Sequence, residues 1–267
     1  MSKIKRLYFD LETSKMLFWA WDTGKTYLGY HQIIEPKKII SFHWNWEGED
    51  KVNNVHWGLN KQCDKKVVAE IIKQFNKADE IIAHNGDRFD MKIVYGRAMF
   101  HNIKLRPKYI TRDTMKMVKS VAYLPSYSLK YCCTHFGLPL KLDSGGSATW
   151  DEVQFKKDQK ALDHLLYYGD GDIVSLKSLF NYIKPFVVNK QHYHIDHVEV
   201  GDMKLAPTKF FCPECGTLMK WNKDYTTASG TPKHYMKCRS KECGTYSVIS
   251  NRDYMNYIKY TAKKNIK

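Results

Sequence analysis

Apolar positions at the start of the chain predict a strand. Residues 4–12 read as a buried strand, and residues 38–46, Lys-Ile-Ile-Ser-Phe-His-Trp-Asn-Trp, as a second. Residues 52–57 predict a third, with Glu47-Gly48-Glu49-Asp50 as the hairpin turn between them. The period then becomes helical. Val67, Val68, Ile71, Ile72 and Phe75 form an apolar stripe, which predicts a helix from a cap at Asp64 to about residue 78. Residues 80–83 read as a short strand. A helix over 88–101 follows, with Ile93, Val94, Arg97 and Ala98 at helical spacing. Two more helices are expected near 114–122 and 128–136. Residues 158–184 hold one or two helices, with Gly169 and Gly171 inside. Strands followed by helices in this order predict an α/β layered fold. Residues 184–208, bounded by Pro185 and Pro207, read as a connector.

Three motifs gather acids on these elements. In Tyr8-Phe9-Asp10-Leu11-Glu12-Thr13, strand alternation puts Asp10 and Glu12 on one face. His84-Asn85-Gly86-Asp87-Arg88-Phe89-Asp90 brings in Asp90. In Tyr168-Gly169-Asp170-Gly171-Asp172, helical spacing puts Tyr168 and Asp172 on one face. Carboxylates collected from distant segments repel one another unless a cation sits among them. The hard cations that take oxygen ligands and leave room for phosphate are Mg²⁺ and Mn²⁺. Asp170 is a competing acid, but two positions along a helix turn it away from Asp172. Tyr167 is a competing tyrosine, five positions from Asp172. Glycine inside a helix costs on the order of 1 kcal/mol. Close approach of a substrate backbone at Gly169 and Gly171, or a break between two helices, is the expected compensation.

Charge adds a partner class. The 267 residues carry a net +15, which attracts polyphosphate chains such as nucleic acids. Residues 201–267, with 13 basic and 5 acidic side chains, hold about half of the excess. No apolar run reaches the ~18 residues of a membrane span, and no signal-peptide apolar region is visible, so no membrane partner and a cytoplasmic, reducing setting are expected. The seven cysteines are then thiols or metal ligands. Cys212-Pro-Glu-Cys215-Gly216 and Cys238-Arg-Ser-Lys-Glu-Cys243-Gly244 have the spacing of two knuckles around one tetrahedral Zn²⁺. Each glycine permits the positive φ such a turn often needs. Short strands are expected at 218–221 and 234–237, and His234 is an alternative ligand to Cys238 or Cys243. Cys63, Cys132 and Cys133 read as core or surface thiols. His192-Tyr-His194-Ile-Asp196-His197 matches the His-x-His-x-Asp-His pattern of metallo-β-lactamase-like hydrolases. That fold needs further His and Asp ligands downstream, where His234 alone follows, so a connector strand is expected instead.

With the three acidic motifs in this order, the chain resembles the DEDD superfamily of 3′–5′ exonucleases, the DnaQ-like group of the RNase H-like fold. Tyr-x-x-x-Asp resembles its tyrosine-bearing DEDDy subclass. Asp113-Thr114 and Ser128-Leu129…Phe136-Gly137-Leu138 also look like this group, and the arrangement is most similar to small stand-alone, phage-type members. The resemblance spans roughly residues 4–186. It implies an RNase H-like mixed sheet flanked by helices over 1–186, a connector at 187–206, a zinc ribbon at 207–250 and a basic, helical tail at 251–267. The ribbon is itself a resemblance, with four residues inside the second knuckle where two are commoner. The catalytic set implied is Asp10, Glu12, Asp90, Tyr168 and Asp172, with two Mg²⁺ or Mn²⁺. Asp10 is expected to bridge both ions, Glu12 and Asp172 to hold the ion that activates water, and Asp90 the ion near the leaving 3′ oxygen. Tyr168 is expected to hydrogen-bond the attacking water.

Single-stranded DNA or RNA is the expected substrate, cut to nucleoside monophosphates. Candidate contacts are Trp19, Trp21, Asn85, Arg88, Lys237 and Arg239. Phe18, Trp19, Trp21, Tyr27 and Tyr30 form either a base-stacking platform or a hairpin packed onto the sheet. Tyr254, Tyr257 and Ile258 fall at helical spacing and are expected to dock the tail, leaving Lys259, Lys263, Lys264 and Lys267 outward. The ribbon is expected to serve nucleic acid or a protein partner. A non-cleaving binding protein and an RNase H-like endonuclease of resolvase type remain open alternatives.

Overall fold

Strand β1 (Arg6–Thr13) carries the first apolar run and lies at the centre of a five-stranded sheet. The structure is a computed structural model and describes residues 4–22, 27–105, 109–139, 146–187, 197–200, 203–207, 210–212 and 214–263. Two short strands, β2 (Leu17–Phe18) and β3 (Ile33–Glu35), pair with each other as a hairpin. β4 (Ile39–Trp46) then runs antiparallel to β1, and β5 (Asn53–His56) antiparallel to β4. Between β4 and β5 Gly48 turns with φ 88°, inside the predicted hairpin turn. β6 (Glu80–Ala83) lies parallel on the other side of β1, and β7 (Ile110–Asp113) completes the order β5-β4-β1-β6-β7. The expected mixed sheet of an RNase H-like α/β fold is therefore present.

Helices α1 (Lys65–Phe75), α2 (Asp90–Phe100), α3 (Thr114–Val121), α4 (Leu129–His135), α5 (Ser147–Asp151) and α6 (Gln159–Ile183) flank it. Asp113, Ser128 and Asp158 cap α3, α4 and α6 by accepting from backbone amides, which satisfies donors those helices leave open. Alternation along β1 divides the core into two layers. Phe9 meets Phe75 of α1 edge-on at 5.0 Å, while its neighbour Tyr8 meets Phe180 of α6 at 5.7 Å. All four rings are fully or almost fully buried. A sheet covered on both faces explains why β4 reads as a run rather than an alternation.

One expectation changes. Asp64 stands at the N-cap of α1 but makes no cap hydrogen bond. Its fully buried carboxylate takes Arg97 in a bidentate pair at 2.6 and 2.7 Å, His101 at 2.6 Å and the Ile39 amide at 3.1 Å. A buried charge gains more from charged donors than from one helix amide. Glu80 plays a similar part between Arg6 and Arg112, at 2.5 and 2.7 Å. Of the one or two helices expected over 158–184, the structure has one, α6, unbroken across both glycines.

The chain divides into two compact units, the first from Arg6–Pro107 and Thr111–Lys184, the second chiefly from Pro185–Lys267. In the second, β8 (His197–Val200) and β9 (Met203–Pro207) pair antiparallel. The rest of the His-rich stretch, 192–196, lies outside the described residues. β10 (Met219–Thr226), β11 (Pro232–Cys238) and β12 (Tyr246–Ser250) form an antiparallel sheet, and α7 (Asn251–Lys263) follows. Tyr257 of α7 is buried against Phe210 and donates to the Met219 carbonyl at 2.6 Å. Tyr254 and Tyr260 pack on the same core, whereas Ile258 is 41% exposed; the docking face is aromatic and omits the expected isoleucine. Lys264 and Lys267 lie outside the described residues. Among the described residues no helix is long and apolar enough to cross a membrane.

Candidate active site

β1 presents Asp10 and Glu12 on the side that carries Tyr8, which is the α6 side. α6 supplies Asp172 from above. One carboxylate oxygen from each of Asp10, Glu12 and Asp172 lies within 4.8 Å of the others, with Glu12 and Asp172 buried. Three acids this close and this shielded from water are unfavourable without a cation. An all-oxygen donor set suits Mg²⁺ or Mn²⁺, so the residues fit the ions the sequence implies.

Asp90 opens α2 just beyond β6, and the intervening loop is built tightly. Asn85 takes φ 61° and donates its amide to Asp113 at 2.9 Å. Gly86 has no room for a side chain, because a Cβ there would fall 2.4 Å from that of Ala83. Asp90 is outside the triad but near enough to feel it. Burial first, then the charges of Asp10 and Asp113, push its carboxyl up to about 8.

Tyr168 lies one turn before Asp172, with its ring buried and Trp150 edge-on at 6.2 Å. The segment bearing Trp150 is tied down beside β1. Lys15 pairs with Asp151 at 2.5 Å, and Gln154 both accepts from the Lys15 amide at 2.9 Å and donates to its carbonyl at 3.2 Å. Neither Lys15 nor Trp150 stands out in the sequence, since the contacts span more than 130 residues in one case and no periodic pattern marks the other. Tyr167 is 64% exposed on another side of the helix. Asp170 points to β4 and β5, where it meets His43 at 2.7 Å and Asn54 at 3.0 Å. Gly169 has a physical reason different from the expected one. A Cβ there would lie 2.4 Å from the His43 ring, so the close neighbour is a side chain of the sheet.

The aromatic hairpin stands out in solvent. Trp21, Tyr27 and Tyr30 are almost fully exposed and Trp19 is half-exposed, with Trp19 edge-on to Trp21 at 5.7 Å. Trp21, Tyr27 and Tyr30 therefore leave little surface to pack onto the sheet. Arg88 is also exposed, next to Phe89, whose ring carries the Lys37 ammonium at 5.1 Å.

In the second unit, Cys212, Cys215, Cys238 and Cys243 bring their sulfurs within 4.8 Å of one another. The two knuckles share two features. Gly216 and Gly244 take φ 71° and 60°, and the amides of Glu214 and Ser240 point at the Cys212 and Cys238 sulfurs at 3.4 Å. Four sulfur donors aided by amides fit a Zn²⁺ ion. His234 is elsewhere, bonded to Asp224 at 2.6 Å and Asn251 at 2.9 Å and stacked on Tyr254. Lys237 lies over the Tyr246 ring, and Arg239 follows the third cysteine. Of the other cysteines, Cys132 and Cys133 are buried and Cys63 is exposed.

A family model described as the RNase H superfamily matches residues 7–184. A search of curated protein sequences finds no match. Among solved structures, the family B DNA polymerase of the hyperthermophilic archaeon Pyrobaculum calidifontis is similar, with a TM-score of 0.52 and 15% identity. The match covers 69% of this chain and 25% of the polymerase, so the chain spans about a quarter of that protein's length. At this identity the likeness is one of fold.

Proposed function

The chain belongs to the RNase H superfamily, and from that premise we propose that it is a metal-dependent 3′–5′ exonuclease of the tyrosine-bearing DEDD type, acting on single-stranded nucleic acid. Members of the superfamily are typically nucleases. The observation that supports the finer reading most is the meeting of Asp10 and Glu12 with Asp172 within 4.8 Å, with Tyr168 one helical turn from Asp172.

Asp10, Glu12 and Asp172 would hold one divalent ion and Asp90, with Asp10, a second. When bound, such a pair activates a water and stabilises the oxygen leaving the phosphorus. The chain's own contribution is placement. β1 fixes two ligands by alternation and α6 fixes the third. Burial and Trp150 restrain the Tyr168 ring, and its hydroxyl is assigned the orientation of the attacking water. A phenol is a poor base at neutral pH, so orientation is its role. Asp170 is engaged elsewhere and takes no part as a ligand.

Substrate engagement is assigned to the exposed rings of Trp19 and Trp21, with Arg88 and the Asn85 loop beside Asp90. Stacking on aromatic rings is worth ~1–3 kcal/mol per base and tolerates any sequence. The cysteine unit is assigned one structural zinc, four protein ligands leaving no open position for substrate. Lys237 and Arg239 add salt-sensitive affinity for the phosphate backbone. The test is a set of 5′-end-labelled DNA and RNA strands incubated with Mg²⁺ or Mn²⁺ and resolved by length. A ladder shortening from the 3′ end supports the reading. Binding without shortening would make the chain a non-cleaving binder, and one fixed internal cut would make it an endonuclease of resolvase type.

A further inference from the structure

We propose that His43, Asp170 and Asn54 form a positioning clamp that sets the rotation of α6 on the sheet, and so places Asp172 and Tyr168 against Asp10. The inference rests on the metal-site reading above.

Asp10, His43 and Asn54 stand in one row across β1, β4 and β5, as register partners in both strand pairs. His43 is fully buried. Its Nδ1 is 2.7 Å from Asp170 Oδ1 and its Nε2 is 2.8 Å from Ser41 Oγ. Asn54 donates to both oxygens of Asp170, at 3.1 and 3.0 Å. A neutral ring can donate from Nδ1 to Asp170 and accept from the Ser41 hydroxyl at Nε2; a protonated ring donates to both. In either state the imidazole is bonded at both ends and cannot turn.

Above this ring sits Gly169. Three ring atoms lie 2.4, 2.6 and 2.7 Å from where its Cβ would be, so the helix backbone rests directly on the imidazole. Each residue turns a helix by about 100°. Measured from Gly169, Asp170 projects about 100° to one side, while Asp172 and Tyr168 project about 60° and 100° to the other. Gly169 is the pivot, and Asp170 is the arm opposite the ligand. Repulsion among Asp10, Glu12 and Asp172 favours a roll of α6 away from β1. The bonds from His43 and Asn54 to Asp170 are directional and oppose it. The pair Asp170 and Asp172, two residues apart, therefore has divided work: one carboxylate fixes the helix and the other faces the cation.

Partners that orient a metal ligand typically change metal affinity or activity by ~10–100-fold when removed. The test measures Mn²⁺ binding by calorimetry on the full-length, zinc-loaded protein without nucleic acid, beside its melting temperature without Mn²⁺. Asp170→Asn keeps the shape of the side chain and is expected to weaken Mn²⁺ binding about tenfold or more. Gly169→Ala is expected to do the same by forcing a Cβ onto the His43 ring. His43→Ala, which removes the same bond from the sheet side, is expected to weaken Mn²⁺ binding in the same way. A purely structural role would lower melting temperatures and leave Mn²⁺ affinity alone. Affinities within twofold of the parent in Asp170→Asn and Gly169→Ala, with the parent binding Mn²⁺, would overturn the clamp and leave the site reading standing. A parent that binds no Mn²⁺ would overturn the site reading and the clamp together.

Discussion

Replacing Asp172 by asparagine should stabilise the protein without its catalytic metal and weaken it with metal present. The side chain keeps its shape, is almost fully buried, and loses its charge. Two ionised carboxylates within 4.8 Å of each other repel by at least about 3–4 kcal/mol at an effective dielectric of about 20. Asp172 faces two such partners, Asp10 and Glu12. The gross strain is then about 7 kcal/mol, which protonation within the cluster and solvent reduce. A net gain of about 1–3 kcal/mol is expected for Asp172→Asn, or roughly 2–12 °C in melting temperature at 2–4 °C per kcal/mol. A divalent ion at about 1,000 times its Kd stabilises the parent by about 4.1 kcal/mol and the variant by much less. Calorimetric melts of zinc-loaded protein, with and without Mn²⁺, should therefore show the two curves exchange order. Two results would refute the reasoning: a variant that melts below the parent without Mn²⁺, or equal stabilisation of both by Mn²⁺.

Three further outcomes are expected. Tyr168→Phe should lower turnover by ~10²–10⁴-fold while Mn²⁺ affinity survives, and Tyr167→Phe, which changes an exposed ring, should turn over normally; the reverse pattern would assign the wrong tyrosine. Asp64→Ala should cost about 3–5 kcal/mol in urea unfolding, because Arg97 is left buried without its partner. Burial raises the Asp64 carboxyl, but the bonds from Arg97, His101 and the Ile39 amide outweigh it and hold it below the usual 3.8. Its stabilisation is thus fully present above the unfolded value and lost as pH falls through the lower folded one, so the parent should gain stability on leaving acid and Asp64→Ala should gain less. Metal analysis should find one zinc per chain, and Cys215→Ser should reduce it; a zinc content near zero in the parent would remove the metal from the account of the second unit.

Much of the first unit was legible because its signals are local. Alternation along residues 6–13 is enough to put Asp10 and Glu12 on one face, and the step of four from Tyr168 to Asp172 is enough to align them on a helix. The paired cysteines with a glycine after each second one likewise mark two turns locally. What escaped depends on partners far along the chain. Asp64 looks like a cap until Arg97 and His101 arrive from another helix. Gly169 looks like a place for substrate until His43 is found beneath it. β7 has four residues and a buried arginine in place of an apolar alternation, and that arginine belongs there because Glu80 waits on β6. In the tail, helical spacing nominated Ile258, but the floor of the site is set by Phe210, which selects Tyr257 and Tyr260.

The central claim is that this chain removes nucleotides from a 3′ end by metal-dependent hydrolysis. Its most direct test compares one single-stranded oligonucleotide in linear and in covalently closed circular form, each incubated with the protein and Mn²⁺. The account predicts that the linear strand is consumed to nucleoside monophosphates and that the circle persists, with both intact when Asp10 is replaced by asparagine. Opening of the circle, or a linear strand left at full length under the same conditions, would contradict it.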